Sequence, residues 1–319
     1  MATWADRIGR HVKLRDLHIL MEVVQWGSMV KAANHLGVSA PVVSKTITDV
    51  ERTLGVPLLD RRPNGVEPTA YGRALIKRGI VVFDELRQGM ADIEFLTDPT
   101  AGEVRIGSTE PLAAGIVPAI IETLNRKYPK VLFHVAQADF ATLERQLRAR
   151  ELDLVIGRPA EAISEKDLDS EALVNDRIVV VAGLKNRWAG RRKIKLSELL
   201  GELWSLPPPG SIPRLAIDDA FRSAGVDVPR AIVSTPAIQV HTHLLANGRF
   251  LTMLPESVIH FSAKPVSVKM LPVDFSIKLN PITMITFKNR TCSPIVQLFM
   301  DCAREVVKPL AKAQMAQRH

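Results

Sequence analysis

Ser39, Pro41, Ser44, Lys45, Thr46, Thr48 and Arg52 crowd one short stretch of a 319-residue chain. They bring hydroxyls, one ammonium and one guanidinium, with no dense negative charge among them. Such a set does not do covalent chemistry; it hydrogen-bonds and pairs charge with phosphates and base edges. Ala40 and Val42 lie between them, so the start of the stretch carries little bulk. Ser28 and Lys31 come shortly before, and Arg61 and Arg62 shortly after. Forked guanidiniums suit sugar-phosphate oxygens, and Arg7, Arg10 and His11 at the N-terminus could add to them.

Two short helices must position these groups. Ser28 is placed to cap the first, and Gly37 suits the left-handed residue that ends it. Ser39 is placed to cap the second, with Pro41 in the first turn, where a missing N–H costs nothing. Val43, Ile47, Val50 and Leu54 recur at helical spacing and predict the buried stripe opposite the polar face. A helix from Lys13 to Trp26, apolar at Leu14, Leu17, Leu20, Met21 and Val24, would complete a three-helix core. Residues 56–68 read as a hairpin turning at Asn64-Gly65, with Arg61 and Arg62 at its base. Helix, glycine-containing turn and helix form the outline of a helix-turn-helix.

The charge distribution agrees. Net charge is +8, and residues 1–80 hold twelve Lys/Arg against seven Asp/Glu, a net of +5. A quarter of the chain thus carries most of the excess, which points to an anionic partner for that quarter. Two cysteines, Cys292 and Cys302, are no disulfide framework and fit a reducing compartment. No apolar run approaches the ~18 residues that span a bilayer, and no signal-peptide core opens the chain. No membrane contact is expected, and a cytoplasmic location is.

Thr69 is placed to cap a long helix over about 70–96. Leu75, Gly79, Val82, Leu86, Gly89, Ile93 and Leu96 step by fours and threes, the seam of a two-helix contact. The two glycines predict close approach of a partner helix, supplied by a second copy of the chain. Beyond Asp98–Gly102, strands and helices alternate. Strands are expected at Val104–Gly107, Val131–Ala136, Leu152–Gly157, Arg177–Gly183, Arg249–Leu254, Val266–Leu271 and Ile282–Phe287. Helices are expected at Leu112–Tyr128, Phe140–Arg150, Ser197–Leu200, Ser211–Ala224, Ala237–Asn247 and Ser293–Lys308. That order predicts a largely parallel sheet covered by helices.

Taken in order, the chain resembles a LysR-type transcriptional regulator over essentially its full length. The residues that carry the likeness are Gly27-Ser28, Lys31-Ala32-Ala33, Leu36-Gly37-Val38-Ser39, Pro41, Ser44, Val50-Glu51, Leu54 to Leu58, Asp60-Arg61, Gly65-Val66 and Thr69. Arg148–Gly157 and Leu244–Gly248 leading to Leu254-Pro255 look like further family segments. Tyr71–Leu75 and Asp98–Gly107 look closest to the branch of regulators of a galactose-binding protein.

The resemblance implies a multidomain chain, with an N-terminal all-α winged helix-turn-helix over 1–69 and a dimerising linker helix over 70–97. A two-lobed α/β effector domain, similar to periplasmic binding proteins, would follow over 98–319. Lobe I would hold about 102–176 and 282–310, lobe II about 177–281, with crossings near Asp176 and Pro281. The implied partners are double-stranded promoter or operator DNA, a small-molecule effector such as a sugar or an organic acid, further copies forming a homodimer and homotetramer, and RNA polymerase. Two positions depart from the family pattern. Ala40 stands where glutamine is common and cannot hydrogen-bond a base, and Phe250 stands where glycine is common. The rival reading is a solute-binding protein with a basic multimerising N-terminal module.

Effector-binding candidates lie at strand ends facing the other lobe. Ser108 and Thr109 open the first helix of the domain, Ser234 and Thr235 precede the Ala237 helix, Arg158 follows a strand end, and Ser211 belongs to the 207–213 loop. Hydroxyls with free N–H groups could hold a carboxylate or a sugar oxygen. His241 and His243, two apart on a helix, point away from each other and make poor joint metal ligands. Cys292 and Cys302 do not form an expected redox pair. No nucleophile with a paired base and no phosphate loop stands out, so neither catalytic residues nor a metal or cofactor is expected.

Overall fold

The structure, a computed structural model, describes residues 12–62, 65–159, 167–261, 268–288 and 290–316. The chain divides into two compact units, Met1–Gly89 and Met90–His319. Arg7, Arg10 and His11 lie outside the described residues, as does Asn64 of the expected turn.

In the first unit, α1 (Leu14–Trp26), α2 (Met29–Leu36) and α3 (Ala40–Leu54) each end on a left-handed glycine, Gly27, Gly37 and Gly55. Ile19, Leu20, Val23, Ala32, Ala33, Val43, Ile47 and Val50 meet in their common core. A hairpin of β1 (Leu59–Arg62) and β2 (Gly65–Pro68) follows, then α4 (Ala70–Thr97). Thr69 caps α4 as expected, accepting the Gly72 N–H at 3.0 Å. It also donates to the Pro57 carbonyl at 2.7 Å, which fixes the helix to the foot of the hairpin.

The seam on α4 divides in two. Leu75 joins the core of its own unit, and a β-carbon on Gly79 would meet Leu17 and Met21 of α1 at 3.0 and 3.1 Å. Gly79 therefore makes room for the chain's own helix and not for a second copy, and Gly89 has open space around it. Val82, Leu86, Ile93 and Leu96 stay exposed, with Met90 beside them.

The second unit holds a mixed sheet in the order β4-β3-β5-β11-β6-β9-β7-β8, with β10 also on β6. On one side lie β3 (Ala101–Ser108), β4 (Lys130–Gln137) and β5 (Leu154–Gly157), mutually parallel. On the other lie β7 (Leu203–Leu206), β8 (Ala231–Ser234) and β9 (Phe250–Pro255), also parallel. Between them run β6 (Leu168–Gly183) and β11 (Ser276–Phe287), antiparallel to each other and both longer than their hydrophobic pattern suggests. The sheet is therefore not largely parallel. Both long strands carry exposed or half-buried stretches in their first half, where no run of apolar residues announces a strand. The short β10 (Val268–Met270) falls within the expected Val266–Leu271 strand. β7 and β8, four residues each, were not expected at all.

The helix expected over 112–128 is broken into α5 (Glu110–Ala113) and α6 (Ile116–Asn125). Gly115 stands between them with φ −123° and ψ −89°, and a β-carbon there would come within 3.2 Å of Val258. The remaining helices are α7 (Phe140–Arg148), α8 (Ile212–Ser223), α9 (Ile238–Ala246), α10 (Glu256–His260) and α11 (Pro294–Ala316), with one 3-10 turn at Leu196–Leu199.

The two largest apolar cores among the described residues of this unit mark its halves. One gathers Val104, Ile120, Leu154, Val174, Ile282 and Phe299. The other gathers Ile178, Val180, Trp204, Phe221 and Met253, with Leu279 packed against it. The cores therefore part between Val174 and Ile178 on β6 and between Leu279 and Ile282 on β11, where the strand register also shifts. We call the two halves lobe I and lobe II. Lobe I is tied internally by Asp153, which accepts the Arg105 N–H at 2.9 Å and pairs with Arg105 and Arg290 at 3.1 Å each.

Candidate nucleic-acid interface and effector cleft

The turn of α3 that repeats at Pro41, Lys45, Thr48 and Arg52 is its exposed ridge, opposite the buried Val43, Ile47 and Val50. Val42 is exposed beside it at 39 %. Ser39 sits at the N-cap position, but its hydroxyl makes no capping bond, contrary to the expectation, and is exposed. Ser44 and Thr46 are half-buried on the two flanks, with the Ser44 carbonyl accepting the Thr48 hydroxyl at 2.9 Å. Arg52 pairs with Asp49 one turn back.

The hairpin is held to this helix by a residue whose role no local pattern announces. Glu51 Oε1 accepts the N–H groups of Leu58 and Leu59 at 2.7 and 3.1 Å. On the other side, the Val66 N–H donates to the Gly27 carbonyl at 2.9 Å, and Gly65 (φ 138°) has no room for a β-carbon against that oxygen. These contacts bring Ser28, Lys31, Arg61 and Arg62 around one surface hollow. Arg61 faces Val66 and Arg62 faces Gly65 in the ladder, so both arginines stand at the turn end of the hairpin and not at its base. The ladder closes one pair short of the expected turn, placing Gly65 in the strand. Ser28 caps α2 by accepting the Lys31 N–H at 3.4 Å, Lys31 and Arg61 are exposed, and Arg62 pairs with Glu67 at 3.2 Å.

In the second unit, Ser108, Thr109 and Arg158 sit at the C-terminal ends of β3 and β5. Ser234 and Thr235 sit at the end of β8. Ser108 is fully buried and its hydroxyl donates to the Ile156 carbonyl at 3.2 Å, so it braces lobe I instead of facing a ligand. Thr235 Oγ1 accepts the Ala237 N–H at 3.2 Å. Ser211 donates to the Pro208 carbonyl at 2.7 Å, which fixes its loop. Arg158 pairs with Asp176 at the crossing of β6 and reaches Ser257 Oγ of α10 at 3.3 Å. Burial pushes its pKa down, and Asp176 opposes that. Asp176, Ser257 and Glu110 were not candidates from the sequence. Their neighbours are distant in the chain, so no local signal marks them.

His241 is 2 % exposed. Its Nδ1 meets Ser205 Oγ at 2.8 Å and Thr252 Oγ1 at 3.3 Å. Burial pushes its pKa down, while a bond with the Thr235 backbone acts the other way. A serine beside a histidine invites comparison with a nucleophile and its base, but Ser205 is 0 % exposed and meets no substrate. Cys302 is half-buried, and burial pushes its thiol pKa up, the wrong direction for a reactive thiolate. Among the described residues no three His, Cys, Asp or Glu side chains cluster as a metal site, and no helix is long and apolar enough to cross a membrane.

Comparison with known proteins places this geometry. Residues 14–73 match the bacterial regulatory helix-turn-helix of the lysR family, and residues 97–308 match the LysR substrate binding domain. The HTH-type transcriptional regulator GbpR of Azospirillum brasilense is 26% identical over 285 residues, covering 89% of this chain and 83% of that one. A full-length OxyR variant from Pseudomonas aeruginosa superposes with a TM-score of 0.60 at 19% identity, over 94% of this chain and 96% of the other. The LysR family regulator CbnR, solved with its target DNA, gives 0.51 at 19% identity, over 93% of this chain and 100% of the other. The chain belongs to the LysR family, and is a DNA-binding transcriptional regulator with an effector-binding domain, not an enzyme.

Proposed function

We propose that α3 enters the major groove with Ser39, Pro41, Ser44, Lys45, Thr46, Thr48 and Arg52, while Ser28, Lys31, Arg61 and Arg62 grip the flanking backbone. The observation that carries this reading is the hollow shared by the start of α2 and the hairpin. It gathers two arginines and a lysine on the same small unit that presents the exposed ridge of α3, and phosphates flank a groove-bound helix. Lys45, Lys31 and Arg61 supply charge; Ser39 and the methyls of Ala40 and Val42 meet base edges. Without a side-chain amide at position 40, adenine gains no bidentate partner there, and apolar contact with thymine methyls takes its place.

The exposed Val82, Leu86, Met90, Ile93 and Leu96 on α4 support dimerisation along that helix, with homotetramers built from two dimers. The cleft between lobes I and II holds the small-molecule effector. The protein works in the cytoplasm, where its DNA is, and RNA polymerase is a further partner. A ligand acts by binding one arrangement of the lobes better than the other.

A gel-shift titration against the DNA upstream of the protein's own gene, at about 150 mM salt, tests the reading. We expect binding at least ~10³-fold tighter than to random duplex of equal length. Equal affinity for both would refute it.

A further inference from the structure

Glu110 follows the Ser108–Thr109 pair directly and bridges the two lobes. Its Oε1 accepts the Ile238 N–H at 2.8 Å, across 128 positions of sequence. The N-cap residue of α9, Ala237, offers no side-chain bond. The Ala237 N–H is taken by Thr235, and the Val240 and His241 N–H groups turn back to the Ala237 carbonyl. The helix end that would hold a free carboxylate already holds one, supplied by the chain itself.

The remaining charges at this cleft cancel. Arg158 is committed to Asp176 and Ser257. Arg214, at the start of α8, pairs with Asp218 at 2.7 Å and donates to the Pro207 carbonyl at 3.3 Å. Of the charged groups named here, Glu110 is the one with no cation paired to it. The hydroxyls of Thr109, half-buried, and Ser234, exposed, are neutral and carry no side-chain bond. An incoming carboxylate or phosphate would have to displace a tethered competitor whose effective concentration is millimolar or more. It would then share the space with the carboxylate it displaced, which like-charge repulsion opposes.

We infer that Glu110 sets the charge of the ligand: it fills the anion position at α9 for the protein itself, and the cleft takes a non-anionic, hydrogen-bond-donating small molecule. Such a ligand donates to the second oxygen of Glu110 and meets Thr109 and Ser234 as neutral partners. The same contact holds lobe II against lobe I when no ligand is bound. The inference rests on the cleft being the effector site, but its test does not pass through DNA binding, so either can fail alone.

The test uses the full chain and its Glu110→Ala variant, with succinate and inorganic phosphate as probes and sodium chloride at matched ionic strength as control. Wild type should show no saturable thermal shift with either anion. Glu110→Ala should gain a saturable rise of a few degrees with succinate. A saturable anion shift in wild type, or no difference between the two proteins, overturns the inference. Spin labels at Glu122→Cys and Arg222→Cys, with Cys292→Ser and Cys302→Ser, give the distance between lobes without any ligand. Glu110→Ala should lengthen it, and Glu110→Gln, which keeps an acceptor oxygen, should restore it. An unchanged distance in Glu110→Ala also overturns the inference.

Discussion

Gly72 faces Leu58 so closely that a β-carbon on it would stand 2.1 Å from the Leu58 carbonyl oxygen. This is the point where α4 leaves the foot of the hairpin, and backbone cannot yield there as a flexible side chain would. We expect Gly72→Ala to destabilise the N-terminal unit by about 1–3 kcal/mol, the usual cost of overpacking. Calorimetry should show its melting transition lowered and DNA binding lost at a lower temperature. An unshifted melt would mean that the junction is loose.

The exposed apolar ridge of α4 makes a second prediction. Leu86→Asp, at a position 46 % exposed in the single chain, should leave folding intact and shift the protein toward monomer in sedimentation velocity. Specific DNA affinity should fall with it, because two half-sites no longer act together. Gly79→Ala should do the reverse, lowering the melting temperature through Leu17 and Met21 while the assembled state persists.

Charge on the hairpin can be tuned in both directions. Glu67 partly neutralises Arg62 at 3.2 Å, and both side chains are exposed. Glu67→Gln should tighten DNA binding several-fold at low salt. Lys45→Ala should weaken it for all sequences alike and reduce the slope of log K against log salt by about 1. Parallel salt titrations of the three proteins would separate these effects. Identical slopes for wild type and Lys45→Ala would remove Lys45 from the phosphate contacts.

His241 makes stability depend on pH in a defined sense. Its folded pKa is lowered from 6.5, chiefly by burial, so below that value the unfolded chain binds a proton that the native state refuses. The stabilisation is complete above pH 6.5 and is lost as pH falls from there toward the lowered folded value. The depressed carboxylates Asp98, Asp139 and Glu171 act in the same sense but at lower pH, leaving this window to the histidine. The melting temperature should decline between about pH 7 and about pH 5, and decline less in His241→Gln. Equal slopes would contradict the assignment.

Much of the reading head was legible in the chain because its determinants are local. Ser28, Gly37, Pro41 and Thr69 each act within a turn of where they stand, and the stripe from Val43 to Val50 follows helical period. The hairpin arginines were found but set at the wrong end, since register depends on Gly65 meeting Gly27 and not on the turn pair alone. In the α/β unit, β7 and β8 were too short to show a period. Of the groups that now define the cleft, Asp176 and Ser257 meet across 81 residues and Glu110 meets Ile238 across 128. Ser108 and Thr235 stand at strand ends as expected, but their hydroxyls are engaged by backbone, the Ile156 carbonyl and the Ala237 N–H.

The pair formed by β6 and β11 carries one further consequence. Both lobes are threaded by the same ribbon of paired backbone, which shifts in register between Leu279 and Thr283. Opening and closing must therefore wring that ribbon, not swing a door on a slack cord. Strain set up in one lobe is therefore handed to the other through paired backbone.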